Sequence, residues 1–468
     1  MGATALILAA GEGTRMRSDR PKVAHPILGV PMVGYVVAAA RGAGCDRVVV
    51  VTGHKAEVVE ALLDGVEFAR QERQLGTGHA VMCARDALAG TGSLVVLSGD
   101  TPLLRAETIS GLVAAREESG AAVVVLTAHL ADPTGYGRIV RDESGGLEAI
   151  VEQKDCSPGQ CTIDEVNTGT YCFDVAALLA HLDRLDTDNA QGEFYLTDMV
   201  RLFVTEGLGA EALKVDDALE TLGINSRVQL AEATKVMQRR INERHMHAGV
   251  TMTDPDLVWI APDVEIGQDT EILPMTFLMG RTRIGSRVKL GPDTRVTDSC
   301  VADGALVDSS VVTGAEVGPG ATVGPVAYLR PGAVLGSKAK AGSCVEIKNS
   351  TVGEGSKVPH LSYIGDATIG VGVNIGAGSI TCNYDGINKH RTVIEDGAFI
   401  GSDTMLVAPV TIGAGAVTAA ASAISRNVAA GALGIERTDQ REIAGWAVRR
   451  RAGDVPDENG QTEREGDR

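Results

Sequence analysis

The sequence predicts two dissimilar architectures in one chain: an α/β domain on a parallel sheet, then a parallel β-helix. Three observations predict this. Residues 1–225 alternate short, unbroken apolar runs with helical patterns, as strands buried on both faces of a parallel sheet do. From residue 257 the aliphatic period changes to six, the mark of a hexapeptide β-helix. Glycine is abundant in both parts, at 57 of 468 residues overall, and aromatics make up only 3%, which fits a narrow β-helix interior filled by one aliphatic per six-residue unit.

In the first part the strands are read at Ala5–Ala10, Val48–Thr52, Leu94–Leu97 and Val123–Thr127. Met32–Arg41, Lys55–Leu63 and Ala106–Glu118 supply the crossover helices. Ligands of such sheets sit beyond the carboxyl ends of the strands. The first run leads into Leu8-Ala9-Ala10-Gly11-Glu12-Gly13-Thr14-Arg15-Met16. Glycines there let backbone N–H groups approach an anion, although a tight turn needs them equally. The loop is not a dinucleotide fingerprint, because Met16 stands where a third glycine belongs, and no Walker lysine follows. Arg15 and Lys22 add two cations suited to a polyphosphate. Gln71 and the turn Leu75-Gly76-Thr77-Gly78 present a second glycine-rich edge, where backbone can face a base or sugar. Asp100 ends another buried strand and suits either a Mg²⁺ ligand or the N-cap of the next helix.

Residues 226–249 read as a connecting helix capped by Ser226 and ended by Gly249. Val228, Ala231, Met237, Ile241 and Met246 form its apolar stripe. Beyond it, Ile266, Ile272, Leu278, Ile284, Leu290 and Val296 lie six apart. So do Val311, Val317, Val323, Leu329 and Leu335, and again Ile394, Ile400, Leu406, Ile412 and Ile424, with Thr418 filling the gap. Three six-residue units close one coil, so equivalent positions recur every 18 residues and the region winds roughly nine or ten coils. On that period Arg330 and Lys348 stack on adjacent coils and repel unless an anion, or Glu346 and Asp366, offsets them. His360 lies nearby, a solitary histidine of either structural or catalytic use. The repeat breaks between Ile380 and Ile394, where a loop gathers Asn383, Tyr384, Asp385, Lys389 and His390. The last residues, from 447, are polar and charged and are expected to be disordered.

Net charge is −18 (43 basic against 61 acidic residues), which argues against nucleic-acid and anionic-membrane partners. Eight cysteines without a CxxC pair or zinc spacing read as free thiols of a reducing compartment. The N-terminus lacks the pattern of a signal peptide, and no apolar run is long enough to span a bilayer, so a cytoplasmic location is expected.

Long stretches carry a resemblance: LAAGxGTRM, PKVAHP, QLGTGHA, GDTPLL, GYGRIV, IVEQKD, NTG, GEFYLTD and GIN, then YLRPGA, VEIKNS, HLSYIGD, NIGAGSITCNYDG and GSDTMLVAP. The first set resembles sugar-1-phosphate nucleotidylyltransferases. Together they resemble the bacterial bifunctional N-acetylglucosamine-1-phosphate uridylyltransferase / glucosamine-1-phosphate N-acetyltransferase family across nearly all of residues 3–446. The implied fold is a Rossmann-like nucleotidylyltransferase domain (1–225), a helical linker (226–250), a left-handed parallel β-helix (251–446) and a polar tail (447–468). Implied for uridylyl transfer are Mg²⁺ on Asp100 and Asn225, and UTP or UDP-sugar on Leu8, Ala9, Ala10, Gly11, Gly13, Gln71, Gly76 and Thr77. Gly137, Glu152, Asn167 and Tyr195 are implied on the sugar, with Arg15 and Lys22 on the phosphates. Many family members have Lys where this chain has Glu12, which leaves Arg15 and Lys22 to carry that charge. Implied for acetyl transfer are His360 as general base oriented by Glu346, and Arg330, Lys348, Tyr363, Asn374 and Lys389 on glucosamine-1-phosphate. Asn383, Tyr384, Ser402, Ala420 and Arg437 are implied on acetyl-CoA. Trp446 is read either as stacking on its adenine or as anchoring the tail. A homotrimer through the β-helix is implied as well. The rival reading is a nucleotidylyltransferase whose β-helix only assembles or regulates it.

Overall fold

A computed structural model describes residues 2–88, 90 and 92–451. The chain divides into two compact units, one of residues 1–268 with 272–282 and one of residues 269–271 with 283–468.

In the first unit a nine-stranded sheet has seven strands along its main path, in the order Ala210–Lys214, Val123–His129, Glu165–Asp174, Ser93–Ser98, Thr4–Leu8, Arg47–Thr52, Glu67–Arg70. The four strands read from the sequence are present, and the helices Met32–Gly42, Ala56–Glu60 and Ala106–Ser119 fall where crossovers were expected. Leu6, Val49, Leu94 and Val96 pack on one face of the sheet; Ile7, Val50, Val95 and Leu97 pack on the other. Burial on both faces explains why these runs show no alternation. The sheet is mixed rather than all parallel, because Glu165–Asp174 runs antiparallel to both neighbours. A hairpin of Arg138–Arg141 and Leu147–Val151 hangs from that strand. The first strand ends at Leu8, two residues short of the expected Ala10. Ala9 donates to Val51 O, and Ala10 O accepts from His54 N.

The connecting helix spans Arg227–His247, and the Ser226 side chain accepts from Gln229 N as its cap. Its buried face differs from the expected stripe. Val228 is exposed, and Ala233, Met237 and Ile241 are buried together with the polar Gln238, Asn242 and His245. The amides explain this. Gln238 Nε2 donates to Val258 O and Asp256 O, and Asn242 Nδ2 donates to Val258 O and Pro255 O. The helix thus holds, by side-chain amides, the strand Val258–Ile260, which pairs in parallel with Thr276–Met279. Lys235 lies 4.5 Å over the Trp259 ring, and Trp259 stacks on Phe277.

The second unit is a stack of short parallel strands in three ladders, consistent with a left-handed β-helix. Leu329 pairs with Ile347 and Ile347 with Ile364, and all three are buried. The period is less strict than eighteen. Steps run 16 residues from Cys300 to Glu316, 17 from Ile347 to Ile364, 18 from Leu329 to Ile347 and 25 from Ile369 to Ile394. Five-residue units shift the phase, so Val301, Val307 and Val312 are the inward residues, and Val311, expected inside, is only half-buried. Ile266 is likewise half-buried. The inward Thr418 accepts from Gly401 N and bonds the Thr404 hydroxyl at 3.0 Å, which satisfies its polar atom within the interior. Of the tail expected from residue 447, residues 447–451 belong to a helix, Trp446–Arg451, and residues 452–468 lie outside the described residues. No helix among the described residues is long and apolar enough to cross a membrane.

Candidate functional sites

In the first unit a cavity of about 320 Å³ opens at the carboxyl ends of the parallel strands. Leu8, Arg15, Thr77, Asp100, Gly137, Glu152, Asn167 and Asn225 line it, all of them residues singled out in the sequence. The sheet positions them by a bulge as well as by strand ends. The register of Glu165–Asp174 slips between Asn167 and Tyr171, where Gly169 takes φ +76°. The bulge fixes Asn167: its amide donates to Tyr171 OH at 2.8 Å and accepts from Gly169 N at 3.0 Å.

Lys22 stands between the two residues expected to hold a metal. Its ammonium is ion-paired with Asp100 and donates to Asn225 Oδ1 at 3.0 Å. The carboxylate and amide oxygens therefore converge on one positive group. Two hard oxygens fit a hard divalent cation that takes its remaining ligands from phosphates and water. Among the described residues no cluster of three or more His, Cys, Asp or Glu is arranged for a metal, so the protein alone supplies no closed cage. Asp100 is not a helix cap, because the following helix starts at Ala106 with Arg105 as its N-cap.

The glycine loop turns through Gly13 at φ +67° into a single 3₁₀ turn, Thr14–Met16. A Cβ at Gly13 would stand 2.5 Å from Lys22 Cβ, so this glycine makes room for the lysine. Gly11 has open space around it. The second glycine turn packs closely on a neighbouring segment of the chain. A Cβ at Gly76 would lie 2.6 Å from Phe194 O, and Gly78 N donates to Phe194 O at 2.8 Å. These glycines let the backbone approach the segment Glu193–Phe194. Gln71 is buried and donates to Gly76 O at 3.1 Å, bracing that turn. Thr77 Oγ1 accepts from Leu196 N.

Burial pushes the Glu152 carboxyl up from its ordinary range; a hydrogen bond from Thr197 opposes this, while Asp155, Asp198 and Glu193 add to it. Tyr195 is buried and lies outside the cavity lining, its hydroxyl engaged with Gln191 and Asp155. Ala9, Ala10, Gly11, Gly13, Lys22, Gln71 and Gly76 are also not among the lining residues. Thr197, Tyr136, Thr221 and Gln229 line the cavity and were not read from the sequence. Thr197 lies within the quoted GEFYLTD stretch, where its hydroxyl was the available signal.

In the second unit Arg330 and Lys348 lie on adjacent coils, as the period required. Both are offset by carboxylates. Arg330 Nη1 donates to Glu346 Oε1 at 2.8 Å, and Lys348 Nζ lies 3.9 Å from Asp366 Oδ2. Asp366 also accepts from Asn349 and Asn383. A third cation joins from the inserted loop: Lys348 beside Lys389 pulls the Lys389 ammonium down from the usual lysine range. Tyr363 is folded over Gly365, where a Cβ would meet its hydroxyl at 2.5 Å, and Asn383 lies beside it. Lys348, Lys389 and Asn383 are thus linked around Asp366, Tyr363 and Asn383 meet at Gly365, and the Arg330–Glu346 pair lies on the adjoining coils.

His360 is exposed at the end of the strand Lys357–His360 and pairs with Ser343 of the previous coil. Glu346, expected to orient it, is engaged by Arg330 instead. Asn374 sits on the next coil, paired with Lys357 and Phe399. Ser402 and Ala420 follow one another up one edge, where Gly376 meets Ser402 N and Gly401 meets Ala420 N too closely to admit a Cβ. Arg437 donates to Ala420 O at 3.0 Å. Tyr384 is exposed and donates to Gly386 O within the inserted loop. His390 bonds Asp385 at 2.6 Å. Backbone donation from Asn388, His390 and backbone donation from Ile387 hold the Asp385 carboxyl down at about 2. Trp446 is partly exposed, and Arg450 covers one face of its ring at 4.9 Å.

The model of the MobA-like NTP transferase domain matches residues 5–194. The chain is 50% identical over 452 residues to the bifunctional protein GlmU of Trichlorobacter lovleyi, covering 96% of this chain and 98% of that protein. It belongs to the GlmU family. The GlmU proteins of Heliobacterium modesticaldum and Thermobifida fusca are 51% and 50% identical to it. They cover 93% and 96% of this chain and 95% of their own lengths. The GlmU resemblance therefore includes both units, and each unit carries its own cluster of polar residues.

Proposed function

We propose that the chain makes UDP-N-acetylglucosamine in two steps, acetylating glucosamine-1-phosphate with acetyl-CoA and then uridylylating the product with UTP. The observation that carries this is identity to bifunctional GlmU proteins at about half of all positions through both units. Arg330 and Lys348 stand on adjacent coils and Lys389 lies beside Lys348, which supports a phosphate site over a β-helix that serves only for assembly.

In the β-helix unit, His360 takes the proton of the substrate amine, which attacks the thioester carbonyl of acetyl-CoA; the coenzyme leaves as its thiol. Arg330, Lys348 and Lys389 bind the sugar phosphate, with Tyr363 and Asn374 on the sugar. A phosphate that takes Arg330 from Glu346 frees that carboxylate to orient His360. Asn383, Tyr384, Ser402, Ala420 and Arg437 face acetyl-CoA. Tyr384 and Trp446 are exposed, which suits a site completed by another copy in a homotrimer.

In the first unit, Arg15 and Lys22 bind the phosphates of UTP, and Glu152, Asn167 and the backbone at Gly137 orient the N-acetylglucosamine-1-phosphate. Its phosphate oxygen attacks the α-phosphorus in line and pyrophosphate leaves, with no protein nucleophile. Asp100 and Asn225 would hold Mg²⁺, which supplies charge neutralisation at the phosphates. Lys22, released from Asp100, is then free to turn to a phosphate oxygen. A cytoplasmic location is part of the same reading.

Incubation with glucosamine-1-phosphate, acetyl-CoA and UTP, with mass detection of UDP-N-acetylglucosamine, tests the whole scheme. His360→Ala should stop thiol release and spare uridylyl transfer, and Asp100→Ala should do the reverse. Loss of both reactions from either change would overturn two independent sites.

A further inference from the structure

The loop that leaves Glu152 carries two cysteines, Cys156 and Cys161, which the proposed reactions leave unused. The intervening Ser157-Pro158-Gly159-Gln160 forms a reciprocally capped turn. Ser157 N and Oγ both donate to Gln160 Oε1, at 3.0 and 2.9 Å, and Gln160 N donates to Ser157 Oγ at 3.3 Å. Cys161 N returns to Ser157 O at 3.0 Å. The turn brings the two cysteines back beside each other: Cys161 Sγ donates to Cys156 O at 3.9 Å. Both cysteines are partly exposed, so a small oxidant can reach them, whereas Cys45 and Cys172 are buried.

The same loop holds one wall of the nucleotide-sugar cavity. Cys156 Sγ donates to Val151 O at 3.7 Å, directly before Glu152. Gln153 Nε2 donates to Cys161 Sγ, and Gln153 Oε1 accepts from Gly135 N and Arg138 Nη2. Asp155 accepts from Ala190 N and Tyr195 OH. Gly135 and Glu152 line the cavity.

We propose that Cys156 and Cys161 are a reversible modification site, a dithiol that a low-molecular-weight disulfide such as oxidised glutathione converts to an intramolecular disulfide. One thiolate attacks the glutathione disulfide, forming a mixed disulfide and releasing one glutathione. The second cysteine, as its thiolate, attacks the mixed disulfide and releases the other. Two protein thiols are oxidised, one glutathione disulfide is reduced to two thiols, and the protons pass to solvent or to the departing thiolates. The product no longer has an S–H to donate to Val151 O, and the loop is re-seated next to Glu152. Burial, and then the neighbouring Cys161, push the Cys156 thiol up, so the exchange quickens as pH rises. The effect on catalysis rests on Glu152 contacting the sugar of N-acetylglucosamine-1-phosphate, as proposed above.

The test uses the full chain, reduced and then equilibrated with oxidised glutathione. Peptide mapping should find a disulfide between Cys156 and Cys161 that dithiothreitol reverses. KM for N-acetylglucosamine-1-phosphate in uridylyl transfer should rise about fivefold, the scale of one lost hydrogen bond, with acetyl transfer unchanged. The double variant Cys156→Ser/Cys161→Ser should be insensitive to the oxidant. Cys156→Ser alone should stop at a glutathione adduct on Cys161. Thiols that stay reduced, adducts without a ring in the unaltered chain, or a disulfide that leaves KM where it was would each overturn the proposal. Absence of uridylyl transfer in the reduced chain would refute the functional reading instead, and peptide mapping would still decide the disulfide.

Discussion

Glu152→Gln should make the protein more stable and a poorer uridylyltransferase. The fold resists ionisation of this carboxyl: burial raises its pKa, and although Thr197 opposes the shift, the carboxylates of Asp155, Asp198 and Glu193 reinforce it. An acid whose folded pKa lies above its unfolded value binds its proton more tightly when folded. The penalty is therefore absent below the unfolded pKa and is fully present above the folded one. Glutamine keeps the shape and removes the charge. With partial exposure discounted, the gain at alkaline pH is about 1 kcal/mol. That moves the melting temperature up by about 2 °C for a unit of this size. The catalytic loss is larger, because a charge-assisted hydrogen bond to a sugar hydroxyl is worth about 1.5–3 kcal/mol, or roughly 10- to 150-fold in KM. Calorimetry at about pH 4, below the ordinary glutamate pKa, and at about pH 8.5 separates the effects, the stability gain being larger at the higher pH. A variant less stable than the parent at the higher pH, or one whose gain is the same at both, would refute the reasoning.

Three further outcomes are expected. Gly76→Ala forces a side chain into φ +105° with its Cβ 2.6 Å from Phe194 O, and should cost about 3 kcal/mol in thermal unfolding while sparing acetyl transfer. Gln238→Leu and Asn242→Leu each leave Val258 O one remaining side-chain amide donor. Each alone should cost about 1 kcal/mol, and the double variant more than the sum, as a double-mutant cycle would reveal. Lys389→Met removes one of two ammonium groups that repel each other, and should raise KM for glucosamine-1-phosphate about tenfold while weakening its dependence on salt.

What the sequence disclosed follows from how locally each feature is specified. The buried strands of the first sheet were legible because two-sided burial writes an unbroken apolar run. Glu165–Asp174 was not, because the bulge at Asn167 to Tyr171 interrupts its pattern with Asn-Thr-Gly and places polar residues where alternation would be sought. The inward line of the β-helix was legible over six-residue units and lost its phase at Val311, since five-residue units leave no mark in composition. The stacking of Arg330 and Lys348 was legible, being a matter of register alone. Their neutralisation by Glu346 and Asp366 stood open beside an anion, because counting cannot say where a carboxylate points. The use of Gly76 against Phe194 was beyond reach, as it joins segments more than a hundred residues apart.

The amide side chains of Gln238 and Asn242 bear on where this protein can be divided. A fragment cut after the connecting helix would keep two buried amides and lose the carbonyls of Pro255, Asp256 and Val258 that receive them. It would also strip Lys235 of the Trp259 ring. An N-terminal piece that keeps these acceptors accordingly runs past the helix to include Val258–Ile260 and its partner Thr276–Met279. A scissile point chosen from the change in sequence period would yield a soluble-looking but frayed product, whereas one placed after residue 282 leaves each amide its acceptor.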